Sequence, residues 1–422
     1  MVERRTPIPV PEAVSRVMQF AVEGENEIIP IEASYGRFLA EDLIADHDVP
    51  HFDRSPYDGF AVRAIDTKDA GQENPIEFEV VEEIGAGSVA TKQVGAYQAI
   101  RIMTGAQMPE ECDAVVMLEL TTELERDGKK YMVIKRPFKS GDNVSFQGED
   151  VAKGSVLVKK GTHINPGIKA LLATFGYHQV TVAKRPIVGI YATGTELLDV
   201  DEALVPGKIR NSNAFMVSAQ IQRAGAEPKY FGKLPDNFEL CFEAIRNAID
   251  QVDILITTGG VSVGDYDYLP AIYEKLGAEV LFNKIAMRPG SVTTVAQLNG
   301  KLLYGLSGNP SACYVGFELL ARPVIRTRLF SNKPHLQKIK AVLHADFPKP
   351  NPFTRFVRST IGFDEGKVSV TPSGLDKSNV VSSLAGANAL MILPGGTRGY
   401  GRGMEVDVLY LEDQEGSKWP WA

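Results

Sequence analysis

Cysteine is scarce in this chain of 422 residues: three occur, at 112, 241 and 313. They are far apart, odd in number, and each sits in an apolar run. That pattern excludes a disulfide framework and any Cys/His zinc spacing, and it predicts buried, unreactive thiols. Histidine is almost as rare. His47 and His51 are close in sequence, but no third ligand stands near them, so a histidine metal site is not expected. No basic stripe exceeds Lys129-Lys130 or Lys159-Lys160, and the net charge is −8, which argues against a nucleic-acid binder. No stretch approaches the roughly 18 consecutive apolar residues of a membrane span. Residues 1–10 hold Arg and Pro without an apolar core, so no signal peptide is read there, and the expected compartment is the cytoplasm.

What is present is an ordinary globular composition, with 44% hydrophobic residues, at a length that suggests roughly two to four domains. Residues 11–23 predict an amphipathic helix, 28–31 a strand and 34–43 a second helix. Residues 47–145 change texture. They are rich in Gly, Pro and β-branched residues, with short strands expected at 78–81, 99–103, 114–118 and 132–134. Residues 150–184 resume strand, turn and helix. The organisation expected is a discontinuous N-terminal domain, 1–46 with 146–184, interrupted by an inserted β-rich module at 47–145.

From residue 185 short apolar strands alternate with helices. Strands are expected at 187–191, around 230–231, at 253–258 and at 280–285, and helices at 213–224, 238–249 and 268–276. A hairpin turns at Asn299-Gly300, and a long helix runs from 311 to 329 behind Pro310. This alternation predicts a mostly parallel, doubly wound α/β domain over 185–330. After it, strands at 339–343, 355–360, 368–371, 389–393 and 406–411 predict a small C-terminal β domain, 331–422. The fold class is therefore multidomain, α/β plus β.

In open α/β sheets ligands bind beyond the carboxyl ends of the strands. Four loops fall there: Thr193-Gly194-Thr195-Glu196; Leu234-Pro235-Asp236-Asn237; Gly259-Gly260-Val261-Ser262-Val263-Gly264-Asp265-Tyr266-Asp267; and Ser307-Gly308-Asn309-Pro310. Gly259 and Gly260 let backbone N–H groups approach an oxyanion. The last loop opens a helix, whose N-terminus favours anions. Thr193, Thr195 and Ser262 add hydroxyls. The carboxylates Glu196, Asp236, Asp265 and Asp267 suit a hard cation such as Mg²⁺, which bridges phosphates through oxygen ligands. Taken singly each feature has a plainer explanation. A Gly-Gly is more often a turn, Asp236 or Asp265 could cap the helix that follows, and Glu196 could be a solvated carboxylate. Four coincident loops make a binding edge the better account, and Mg²⁺-assisted phosphate chemistry its expected use. The β module offers two more candidates: Asp53-Arg54-Ser55-Pro56-Tyr57-Asp58-Gly59-Phe60-Ala61, and Arg101-Ile102-Met103-Thr104-Gly105-Ala106. Each could also be a plain turn.

These motifs, in this order, resemble the molybdopterin molybdenumtransferase family over residues 8 to 412. The stretches that carry the likeness are 49–63, 101–106, Pro109 with 113–116, Gly148-Glu149-Asp150, 193–197, 258–264 with Asp267-Tyr268, Pro289-Gly290 and 306–310. The resemblance implies four regions, the third a molybdopterin-binding α/β domain. It implies a homodimer whose cleft receives the partner's β insert, and other cofactor-assembly proteins as partners. It implies adenylylated molybdopterin and molybdate as substrates and a divalent cation, Mg²⁺, for cleavage of the AMP linkage. Carried over by position, Asp58 and Thr104 match functional residues of the insert, and Asp150 a carboxylate near the domain junction. Glu196, Asp236 and Asp267 match the acidic, metal-holding residues of the cleft, and Pro310 a proline beside it. Arg358 resembles a basic residue offered to molybdate, and Ser382-Ser383 a hydroxyl pair. Where the family often has Lys-Pro-Gly-Lys-Pro, this chain reads Arg288-Pro289-Gly290-Ser291-Val292, so one cation remains and the second has become a hydroxyl.

Two other functions are compatible with the α/β region. One is an adenylyltransferase making the adenylylated pterin, which would lack the insert and the C-terminal domain. The other is a receptor-clustering scaffold, which would carry a fused second module.

Overall fold

The computed structural model describes residues 6–235, 237–260, 268–364, 366–412 and 416–421. The chain divides into two compact units. One is Asp42–Val158, and the other joins Met1–Glu41 to Lys159–Ala422.

Among the described residues, the larger unit is organised by a six-stranded sheet. Its order is Glu227–Leu234, Ile187–Thr193, Ile254–Thr258, Lys301–Leu306, Thr294–Leu298, Glu279–Phe282. The first four strands are parallel, and the residues of Ile187–Thr193, Ile254–Thr258 and Lys301–Leu306 are nearly continuous in burial, as a sheet covered on both faces requires, while the edge strand Glu227–Leu234 is mostly exposed or half-buried. Thr294–Leu298 runs antiparallel to both of its neighbours. Its hairpin to Lys301–Leu306 turns at Asn299 and Gly300, with φ of 51° and 80°, the pair of positive values that a type I′ turn needs. Helices Asn213–Ala224 and Pro310–Gly316 pack on one face through Val217, Ile221, Cys313 and Val315. Helices Phe238–Ile249 and Leu269–Lys275 cover the other through Ile245, Ile249, Ile272 and Tyr273. The domain is doubly wound.

The long helix expected at 311–329 is continuous but not uniform. A π-helical turn, Phe317–Ala321, separates Pro310–Gly316 from Arg322–Arg328. Pro323 lies just after it. A proline has no N–H for the α-helical ladder, and the wider turn accommodates its ring. The helix expected at 34–43 is absent. A 3-10 turn, Ile31–Ala33, gives way at Gly36, φ +76°, to isolated bridges Phe38↔His163 and Leu39↔Val182. The N-terminal helix Val10–Met18 adds Val10, Ala13, Val14 and Val17 to the α/β core, and Asn26–Pro30 pairs antiparallel with Gln179–Ala183.

The C-terminal strands close on themselves. Thr354–Asp364 pairs with both Lys367–Pro372 and Ala389–Leu393, and the ring is completed by Gln337–Leu343 and Glu405–Tyr410. The two-residue strand Met287–Arg288 joins this sheet in parallel, with Arg288 opposite Arg355. Trp421 packs against Phe356.

The smaller unit is a six-stranded sheet ordered Ala114–Met117, Gly59–Val62, Gln98–Ile102, Ile76–Ile84, Lys129–Ile134, Thr122–Arg126. Alternate residues feed two apolar clusters, Phe60 with Phe78 and Met132 in one, Ile84 with Ile100 and Ile102 in the other. The unit is wider than the expected 47–145. Leu43–Ile44 pairs with Val156–Val158, and bridges Val49↔Val151 and Arg54↔Ser145 tie both chain crossings into it. Cys112, Cys241 and Cys313 are free and buried, and burial pushes the thiols of Cys112 and Cys313 up to about 12. No described helix is long and apolar enough to cross a membrane.

Ile256, fully buried in the central strand, touches the core beneath the site. Ile256→Ala is expected to destabilise the larger unit by about 2–5 kcal/mol, read as a lowered urea midpoint in its unfolding transition.

Candidate functional site

Three strand ends converge at one edge of the α/β sheet. Ile187–Thr193 runs into Gly194-Thr195-Glu196, Ile254–Thr258 into Gly259-Gly260, and Lys301–Leu306 into Ser307-Gly308-Asn309. Short bonds lock them together. Gly259 N–H donates to Leu306 O at 2.8 Å, and Thr193 Oγ1 donates to Thr258 O at 3.1 Å. Position 259 requires glycine, because its φ is +95° and a Cβ would lie 2.5 Å from Thr193 Oγ1. Asn213 Nδ2 donates to Gly308 O at 2.8 Å, which fixes the third loop to a helix start.

These loops line a cavity of about 840 Å³. One side is polar, with Thr193, Thr195, Glu196, Ser307 and Asn309. The other is apolar, with Leu234, Tyr268, Leu269 and Ile272. The size lies within the roughly 300–1,000 Å³ typical of small-molecule sites. Glu196 is exposed here, and its carboxylate has no hydrogen-bond or ion-pair partner among the described residues. The cap of helix Phe238–Ile249 is Asn237, whose side chain accepts from Leu240 N–H at 3.0 Å, so that role does not fall to Asp236. Asp236, Ser262, Gly264, Asp265 and Asp267 lie outside the described residues.

A second cavity, about 350 Å³, shares Val292, Ser307 and Asn309 with the first. Arg288 and Ser291 line it from the α/β side, and Arg355, Asp376, Lys377 and Ser378 from the C-terminal side. Asp376 binds Arg355 Nη1 at 2.7 Å and Arg358 Nη1 at 3.1 Å. Ser378 O accepts from Ser311 N–H at 3.0 Å, and Val380 O from Ser311 Oγ at 2.7 Å. The loop is thereby seated on the start of helix Pro310–Gly316. One helix-start N–H expected to face an anion is already taken by this carbonyl.

Arg358 lines neither cavity. It is 1% exposed, and it donates to Ser383 Oγ, Asp376 Oδ1, Leu375 O and Lys377 O at 3.1–3.3 Å. Burial pulls its pKa down, and Asp376 opposes that pull. The guanidinium thus braces the loop from inside instead of offering itself to an anion. Ser383 is buried beside it, and exposed Ser382 lines neither cavity. Pro310 occupies the first helical position behind Asn309.

Residues 8–176 match the family described as "MoeA N-terminal region (domain I and II)", residues 189–327 the "Probable molybdopterin binding domain", and residues 340–411 the "MoeA C-terminal region (domain IV)". A molybdopterin molybdenumtransferase of Bacillus subtilis (strain 168) is 63% identical over 422 residues, spanning 100% of this chain and 98% of the relative. The chain belongs to the molybdopterin molybdenumtransferase family. Another member, from Staphylococcus aureus (strain MW2), is 49% identical over 412 residues, 98% of this chain and 97% of its own. The crystal structure of a molybdopterin biosynthesis moeA protein from Pyrococcus horikoshii OT3 superposes with a TM-score of 0.82 at 31% identity, covering 96% of this chain and 100% of that one.

Within the smaller unit, the fold of this molybdenumtransferase-family chain brings Asp58 and Thr104 together. The antiparallel pairing of Gly59 with Ile102 sets their loops side by side. Asp58 Oδ1 accepts from Thr104 N–H at 2.7 Å and from Thr104 Oγ1 at 2.9 Å. Those bonds, the backbone one first, hold its carboxyl below the usual range. Asp150 is exposed next to the bridge Val49↔Val151, where its N–H donates to Val49 O at 3.0 Å. Among the described residues no group of three or more His, Cys, Asp or Glu side chains could hold a metal. Sequence reading passed over Arg355 and Lys377, which only sheet closure brings to Arg288, and the apolar wall around Tyr268.

Two outcomes are expected here. Asp376→Ala leaves Arg358 buried without its carboxylate and costs about 3–5 kcal/mol, measurable in denaturant. Thr104→Ala removes the hydroxyl bond but keeps the backbone one, so Asp58 titrates higher than in the parent yet still below the usual aspartate value, read by carbon NMR of the carboxyl. A depressed pKa favours the folded form above that range, and the contribution fades as pH falls through the folded value.

Proposed function

We propose that this chain inserts molybdate into adenylylated molybdopterin and releases AMP. Membership of the family makes it a transferase of molybdenum-cofactor biosynthesis. One observation carries the finer reading. A larger cavity lined by glycine and hydroxyl loops and by apolar side chains adjoins a smaller cationic one, and the two share Val292, Ser307 and Asn309. The pterin and its phosphoanhydride belong in the first, where the N–H groups of Gly260 and Gly308 and the hydroxyls of Thr195 and Ser307 offer donors without net charge. The Gly259 N–H and the Thr193 hydroxyl are spent on Leu306 O and Thr258 O and hold the loops in place. Molybdate belongs in the second, beside Arg288 and Arg355. The dithiolene and the metal then meet across the shared wall. The two thiol protons leave with one molybdate oxygen as water, and a second water divides the anhydride into AMP and pterin phosphate.

Of the expected donors Glu196 is among the described residues, and its chemistry suits Mg²⁺. Glu196 is a carboxylate at the cavity with no partner among the described residues, and hard cations take such oxygens. Glu196, Asp236 and Asp267 would hold the ion, which supplies charge neutralisation on the anhydride. Arg358 and Ser383 position the 375–378 loop. A homodimer completes the proposal, with the ionised Asp58, Thr104 and Asp150 of a second copy aligning the nucleotide. The cytoplasm suits the buried, reduced thiols.

Purified protein supplied with adenylylated molybdopterin, Mg²⁺ and molybdate is expected to release AMP and retain molybdenum. Absence of both defeats the reading. Chelation of Mg²⁺ is expected to halt AMP release reversibly, and Glu196→Gln to slow it by about 10²-fold, the order seen when a transition-state charge contact is lost.

A further inference from the structure

The smaller cavity carries more positive charge than its internal pairing neutralises. Arg288 and Arg355 are register partners on adjacent parallel strands, so their side chains leave the same face of the sheet. Like charges so placed repel unless something of opposite sign intervenes. Asp376 lines this cavity, and its carboxylate, 7% exposed, is already engaged by Arg355, Arg358 and Lys349. Arg288 and Lys377 are exposed, line the cavity, and have no hydrogen-bond or ion-pair partner for their side-chain cations among the described residues. Three cations against one carboxylate leave a surplus of two positive charges in the described lining, which matches a dianionic tetrahedral oxyanion.

Lys377 also differs from a casual surface lysine. Its backbone is held at both ends: its C=O accepts from the buried Arg358 Nη2 at 3.2 Å, and its N–H donates to Leu375 O at 3.0 Å. The loop that carries it is seated on Ser311. A long flexible side chain on an anchored backbone loses less freedom on binding than one on a loose loop. On the opposite wall, Ser291 presents a hydroxyl and no charge.

We propose that Lys377 is an oxyanion-binding residue of the smaller cavity and supplies, from the C-terminal side, the cationic contact that Ser291 does not provide from the α/β side. This rests on the assignment of that cavity to molybdate. Molybdate specificity in this chain then depends on a charge contributed jointly by two domains, and it weakens with ionic strength because Lys377 and Arg288 are solvent-exposed.

The test is calorimetric titration of the purified full chain with sodium molybdate, and separately with AMP, at low salt. Lys377→Gln is expected to weaken molybdate binding about tenfold, the scale of one lost charge-assisted hydrogen bond, and to leave AMP binding unchanged. Adding Ser291→Lys to that variant is expected to restore molybdate affinity to within about twofold. Lys367→Gln, on an exposed strand start away from the cavity, is the control for general charge and should bind as the parent does. Molybdate binding by Lys377→Gln at parental strength overturns the proposal while leaving the cavity assignment standing. So does a tenfold loss that Ser291→Lys fails to recover. A parent chain that binds AMP but no molybdate overturns the cavity assignment itself.

Discussion

The buried ion pair of Asp376 with Arg358 is the constraint on which the C-terminal side of the site depends. Taking a guanidinium out of water is costly unless its donors are met. Here a carboxylate, a hydroxyl and two carbonyls meet them. The two carbonyls belong to residues 375 and 377, so satisfying Arg358 also fixes the path of that loop. The same carboxylate reaches Arg355, on the strand that Met287–Arg288 joins. Beyond it, Ser378 and Val380 grip Ser311, four residues after Ser307 in the wall shared by both cavities. One buried charge thus ties the C-terminal sheet to the edge of the α/β sheet.

Under the proposed assignment the two cavities solve different electrostatic problems. An anhydride that must be cleaved is better held by preorganised neutral dipoles, with charge supplied locally by a cation, than by a ring of fixed lysines that would stabilise the bound substrate as much as the transition state. Glycine and hydroxyl loops answer that need. A free oxyanion that must be drawn from dilute solution calls for exposed positive charge and long-range attraction. Arg288 and Lys377 answer that. On that proposal, placing the two cavities side by side lets one protein do both without either compromising the other.

Much of this was legible from residues alone. Helices Asn213–Ala224 and Phe238–Ile249 end where the periodicity and Gly225 place them, because an amphipathic face and a left-handed stop leave few alternatives. The strand-end loops at Thr193, Gly259 and Ser307 follow from the topology of an open parallel sheet. The stretch 34–43 misled because its composition suits a helix while Gly36 and long-range bridges to His163 and Val182 decide otherwise. Residues 146–158 belong with the insert through pairings to partners about a hundred residues away, which no local pattern encodes. Arg355 and Lys377 were invisible for the same reason. Their closeness to Arg288 arises from sheet closure and from a loop held by a buried ion pair.

Arg358 shows where reading function from residue type reaches its limit. Arginine presents five N–H donors, and at this position four described acceptors already surround it at hydrogen-bonding distance. One donor is left over, so a new oxyanion would gain more than a single contact only by giving up Asp376 or the loop carbonyls, and each loss would leave a buried group unsatisfied. Arg288 is in the opposite state: solvated, beside the cavity, and without a partner among the described residues. For it, an incoming dianion replaces water and relieves its repulsion from Arg355. Of two arginines that look equivalent in the sequence, the paired, buried one is the better brace and the solvated one the better ligand, because binding must improve on the interactions a group already has.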